Sequence, residues 1–212
     1  MRNTKQIAIN ILWLSHKDVT GGFIYARNLL DNLFEIDKHN KYIIFLNKSN
    51  FSYFKKRYEK YSNVSFTVID IRRDIMLNPL RAISKFISKI KKDDEKREEI
   101  IRREIQVYIN KKNIDMLFFP SGIIYPKGLT NIKTISTIYD LQHEYFPENF
   151  SENQIIFRRQ NYKYTALNSD YIIAISNYTK KTIVEKYNIN LDKISVIYLD
   201  AIKSNKDISN IS

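Results

Sequence analysis

Three clusters of polar residues in this sequence combine types that could do chemistry. The richest is Tyr139-Asp140-Leu141-Gln142-His143-Glu144-Tyr145-Phe146-Pro147-Glu148. It gathers a carboxylate, an imidazole, an amide and several aromatic faces behind one apolar run. Carboxylates and amides accept or donate paired hydrogen bonds, which suits sugar hydroxyls. Asp140 and His143 are the residues on which catalysis would rest here. His143-Glu144 also resembles the opening of a zinc-protease helix. No second histidine stands at the required spacing and Pro147 stops a helix, so no metal site is expected. A loop that only caps a helix is the competing reading.

The second cluster is Ser15, His16, Lys17, Asp18, Thr20, Gly21 and Gly22. Paired glycines at a helix start let a ligand approach backbone N–H groups, and the helix dipole favours an anion there. His16, Gly21 and Gly22 are therefore candidates for holding an acceptor or a phosphate. The spacing is not G-x-G-x-x-G, so a dinucleotide fingerprint is absent, and a plain tight turn is the alternative. The third cluster is Ser176-Asn177-Tyr178-Thr179-Lys180. Ser176 reads as an ordinary N-cap, worth about 1 kcal/mol to its helix. The same helix end facing a cleft would let Ser176, Thr179 and Lys180 hold a phosphate or a sugar hydroxyl. No Asp-x-Asp and no P-loop signature appears, and His39, in the polar turn IDKHNK, reads as solvated.

Strands and helices must hold these loops. Apolar runs of strand length occur at 6–14, 42–47, 64–70, 114–120, 133–140, 170–176 and 193–199. Helical spacing of apolar residues follows the first run, with Phe23, Ala26, Leu30, Leu33 and Phe34 on one face. Residues 80–112 read as one or two helices around a charged hinge at 91–99, and further helices are expected from about Glu152 to Leu167 and from Asn177 to Tyr187. A Tyr/Lys-rich segment between the second and third runs carries no assigned element. Near-continuous apolar strands separated by helices predict an α/β, Rossmann-like, doubly wound and mostly parallel sheet with helices on both faces. Residues 1–202 form one domain, with a polar tail at 203–212. In such a sheet ligands bind beyond the carboxyl ends of the strands, where all three clusters lie.

The composition sets limits. The chain has 212 residues and no cysteine, which removes disulfides, thiolate metal sites and a cysteine nucleophile and sits with a reducing cytoplasm. Its 43% hydrophobic content excludes global disorder. The formal charge of +12 favours phosphate-bearing partners, although a sequence broadly rich in lysine, asparagine and isoleucine would carry it without a function. The basic residues spread over several helices rather than forming one stripe, so no nucleic acid is expected as a partner. Lys85, Lys89, Lys91 and Lys92 flank an apolar helix face at 80–92. That face either covers the sheet or lies on an anionic membrane surface. No apolar run approaches the roughly 18 residues of a membrane-spanning helix. A cytoplasmic location is expected, with peripheral attachment to the inner face of the membrane as its extension.

The segment 137–151 (TIYDLQHEYFPENFS), Arg158, Arg159 and Tyr164 after it, and residues 169–187 (SDYIIAISNYTKKTIVEKY) resemble glycosyltransferase family 4, the group 1 retaining enzymes of GT-B fold. The first run with Gly21-Gly22 and Asn28-Leu29-Leu30 is similar to the start of the same domain. Members have two Rossmann-like domains facing a cleft, the N-terminal one mainly for the acceptor and the C-terminal one for the nucleotide-sugar. The resemblance implies acceptor contacts from Gly21, Gly22, Asp140 and His143 with Ser176 nearby, transfer with retention, and no essential metal or other cofactor. Many relatives have histidine where this chain has Tyr139, and His143 is the candidate to take its role. The family's donor motif would follow residue 199, so a C-terminal donor domain is expected to be absent from this chain. The expected function is the N-terminal half of a retaining glycosyltransferase of cell-surface polysaccharide or lipopolysaccharide assembly, inactive alone. Its partners would be a glycan or lipid-linked acceptor and a separately encoded donor domain, and a nucleotide-sugar would bind only with that domain. The alternative is a non-catalytic domain that binds a glycan or lipid-linked acceptor.

Overall fold

The computed structural model describes residues 3–17, 20–69 and 86–199, without the side chains of 86–94. Among the described residues seven strands form one sheet: β1 (Gln6–Asn10), β2 (Lys41–Leu46), β3 (Val64–Val68), β4 (Met116–Phe119), β5 (Lys133–Ile138), β6 (Tyr171–Ala174) and β7 (Ile194–Val196). Their order is β3-β2-β1-β4-β5-β6-β7. All six pairings among the described residues are parallel, as expected of a doubly wound sheet. Between the strands run α1 (Gly21–Ile36), α2 (Lys48–Tyr58), α3 (Phe86–Lys112), α4 (Gln142–Tyr145), α5 (Glu152–Asn168) and α6 (Asn177–Tyr187).

Strand alternation decides which helix covers which face. Ile9 of β1 and Ile44 and Leu46 of β2 pack with Phe23, Ala26, Leu30 and Phe34 of α1 and Phe54 and Tyr58 of α2. Their neighbours Ala8, Ile43 and Phe45 point the other way, onto Ile101, Ile105 and Ile109 of α3. Beyond β5, Tyr162 and Ala166 of α5 and Ile183 of α6 close the core over Ile138, Ile172 and Ala174. Helices thus lie on both faces, and a doubly wound Rossmann-like sheet results.

Two local readings change. The charged stretch at 91–99 is no hinge, because α3 runs unbroken from Phe86 to Lys112. Glu99 accepts from Arg102 and Arg103, pairs three and four residues apart that a continuous helix brings together. The Tyr/Lys-rich segment after β2 is α2, capped by Asn47, whose side chain accepts from the Asn50 N–H. The candidate membrane face at 80–92 and the tail at 203–212 lie outside the described residues or their described side chains.

Candidate functional site

The chain leaves β1 toward β2 and β3, then returns to β4 on the other side of β1. Loops following β1 and β4 therefore diverge, and in sheets of this kind that switch point is where ligands bind. Tyr139, just after β5, packs between the loop that follows β4 and the start of α1. Its hydroxyl donates to the Pro120 carbonyl. The ring meets Tyr25 edge-on at 5.1 Å. Burial pushes the Tyr139 phenol far above its ordinary range, so it remains protonated. A Cβ on Gly22 would stand 3.3 Å from the Tyr139 ring, and one on Gly122 would stand 3.6 Å from it. Gly22 thus lets this ring seat, whereas at Gly122 the contact is ordinary and it is the φ of +90° that calls for glycine. Gly21 is different, since a Cβ there would meet nothing within 4 Å. The N-terminus of α1, capped by Thr20 through its bond from Phe23 N, is open at Gly21 and closed at Gly22.

Sequence reasoning paired Asp140 with His143, and the structure separates their surroundings. Asp140 is half-buried, and its Oδ1 accepts from the Gln142 N–H at 2.9 Å, which starts α4. His143 has no exposed surface. It packs at 5.1 Å against Tyr162, and neither ring nitrogen has a hydrogen-bond partner among the described residues. Its Nε2 lies 3.8 Å from Glu144 Oε1, while Glu144 is held by Arg159 at 3.2 Å. Burial lowers the His143 pKa despite that carboxylate, so the ring is neutral. A recess of about 220 Å³ opens beside Asp140, Gln142, Tyr145, Phe146 and Tyr178, and His143 is not part of its wall. Tyr145, Phe146 and Tyr178 are exposed there, so aromatic faces are available next to a carboxylate.

The third cluster is spent largely on the fold. Ser176 Oγ caps α6 by accepting from the Thr179 N–H at 3.0 Å. Thr179 donates its hydroxyl proton to the Tyr139 carbonyl at 3.0 Å, so at its contact with Ser176 it accepts. The pair ties α6 to the strand end that carries Asp140. Lys180 is turned to β7, where its ammonium donates to the Ile194 carbonyl at 2.6 Å.

His16 follows β1 and faces α2, whereas that recess lies beyond β5 and β6. Its Nδ1 is 3.2 Å from Asn50 Oδ1 and its ring is stacked on Tyr53 at 5.0 Å. The sequence reading missed Asn50, Tyr53 and Trp13. Trp13, in the turn that follows β1, is 46% exposed and held edge-on by Tyr125 at 4.9 Å.

A parallel doubly wound sheet with its polar loops gathered at one edge defines the class of Rossmann-like domains that bind ligands at a switch point. Comparison with known proteins narrows this. The family model of Glycosyltransferase Family 4 matches residues 81–199, more than half of the chain, and the protein belongs to that family. Among solved structures it is similar to UGT89C1 of Arabidopsis thaliana in complex with UDP-L-rhamnose, at 10% identity and a TM-score of 0.58, covering 92% of this chain and 52% of the other. It is also similar to a UDP-N-acetylglucosamine 2-epimerase from Rickettsia bellii, at 12% identity and a TM-score of 0.54, covering 92% of this chain and 44% of the other. The chain thus spans about half the length of the solved structures it matches. At these identities the likeness shows the fold, which is that of the GT-B glycosyltransferases. No curated protein matches the sequence.

Proposed function

We propose that this chain is the acceptor-side half of a retaining, nucleotide-sugar-dependent glycosyltransferase that works in cell-surface polysaccharide or lipopolysaccharide assembly. The observation that carries the reading is the recess beside Asp140, where a carboxylate, an amide and three exposed aromatic rings meet at the sheet edge of a Family 4 domain. Asp140 meets the hydroxyls of the acceptor, and the aromatic faces take its ring. His143, as the buried neighbour of Tyr162, sets the position of α4 from beneath. Gly21 is the place where a ligand can approach backbone N–H groups. Ser176 and Thr179 serve by fixing α6 against the strand end.

Half of a two-substrate site holds one substrate, and reaction depends on holding both. The donor half lies in sequence outside these 212 residues or on another polypeptide, and transfer requires it. No described helix is long and apolar enough to cross a membrane. The +12 charge supports peripheral contact with an anionic surface, as a lipid-linked acceptor would require. A glycan array tests the acceptor reading. The wild-type chain binds a subset of glycans, and Asp140→Ala loses about tenfold in affinity, the equivalent of one charge-assisted hydrogen bond. A folded wild-type chain that binds no glycan contradicts it.

A further inference from the structure

Asn50, on the first turn of α2, is 2% exposed, and its amide faces two groups. Its Nδ2 donates to the Leu14 carbonyl, and its Oδ1 lies 3.2 Å from His16 Nδ1. A backbone carbonyl only accepts, so the edge turned to Leu14 must be the NH₂. The amide oxygen is then left for the ring, and an oxygen facing Nδ1 requires a proton there. Neutral His16 is therefore the Nδ1–H tautomer, with its lone pair on Nε2. The stack on Tyr53, at 5.0 Å and 11° between planes, fixes the ring further. Two more asparagines pin the same loop. Asn47 Nδ2 donates to the Leu12 carbonyl, and buried Asn10 accepts from the Leu12 N–H at 3.2 Å. The ring itself is only half-buried at the carboxyl edge of the sheet.

We propose that His16 Nε2 receives a hydrogen bond from a hydroxyl of the acceptor sugar, and is not a phosphate site. A phosphate oxygen needs a donor, whereas the tautomer that Asn50 selects presents an acceptor. The assignment rests on the acceptor-side reading above and adds a named contact to it. His16 acts here as a binding residue that orients one hydroxyl, with Asn50 as the positioning residue behind it.

The test is long-range ¹H–¹⁵N NMR of the histidine rings in the full chain at about pH 8, above the ordinary histidine range. The His16 signals are identified by their loss in His16→Gln. Methyl glycosides of glucose, galactose, mannose and N-acetylglucosamine are one set of probes, and inorganic phosphate is the other. Saturation transfer to the glycoside ring protons reports binding independently. The expected result is an unprotonated Nε2 in the ligand-free chain, which shifts toward the protonated value when a glycoside binds while Nδ1 keeps its proton. Asn50→Ala removes the tautomer preference and weakens that glycoside about tenfold. A protonated Nε2 with no ligand present overturns the proposal, as does an Nε2 that responds to phosphate and to no glycoside. Glycoside binding that leaves His16 unmoved overturns it while the acceptor reading stands. If no glycoside binds at all, the acceptor reading fails and takes the assignment with it.

Discussion

A methyl group on Gly22 would stand 3.3 Å from a ring that has little room to yield, because Tyr139 is bonded to Pro120 and packed edge-on against Tyr25. Crowding of this kind costs about 1–3 kcal/mol, against up to about 1 kcal/mol gained from replacing a helical glycine. Gly22→Ala should therefore lower stability by about 1 kcal/mol, while Gly21→Ala, which faces open space, should leave it equal or slightly higher; urea unfolding of both decides it. His143 gives a prediction in pH. Its folded pKa is lowered by burial and its unfolded value is about 6.5. The stability it allows is full above about pH 6.5 and is lost as pH falls from there toward the folded value, because the unfolded chain binds the extra proton. The melting temperature should fall across that window, and His143→Phe should flatten the fall; an unchanged slope in the variant would place its source elsewhere. At this scale the sequence showed which types of residue gather in the loops, and the structure sets Asp140, half-buried, in the wall of the recess. It could not show that His143 is buried, nor that His16 pairs with Asn50, since contacts across 34 positions arise only when β1 and β2 lie side by side.

Helix α6 spans Asn177–Tyr187 as its sequence predicts, because both stops are local. Ser176 caps the start, and Asn188, at φ 52°, ends it in the left-handed region that asparagine tolerates. Ser176→Ala should cost about 1–2 kcal/mol even without a ligand, toward the upper end of cap losses. The Ser176 hydroxyl also meets Thr179 Oγ1, which holds the Tyr139 carbonyl. Ser151→Ala, which breaks the capping box of α5 at an exposed end, should cost about 1 kcal/mol. A chemical denaturation series that ranks them the other way would contradict the tie from α6 to β5. α2 was less legible. Its buried face is Asn50, Phe54 and Tyr58, at helical spacing but with a polar residue and a tyrosine among three positions. The hinge expected at 91–99 failed for a related reason: a run of charges looks like a break until i, i+4 pairing is counted, and Glu99 with Arg103 is such a pair.

On the scale of the whole molecule, the order β3-β2-β1-β4-β5-β6-β7 places every polar cluster on one edge of the sheet. Alternating apolar strands and helices made that architecture readable, because a parallel sheet covered on both faces leaves few other arrangements. The same edge is where a second domain would have to stand to close the site, and the chain spans about half the length of the structures it matches. If the 212 residues bind an acceptor and need a donor half to react, nucleotide-sugar turnover is the most direct measurement. The purified chain is assayed with a panel of UDP- and GDP-sugars for both hydrolysis and transfer. The account predicts no turnover from the folded chain alone. Turnover by this chain alone that disappears in Asp140→Ala would contradict it, and would mean that one domain carries both substrates.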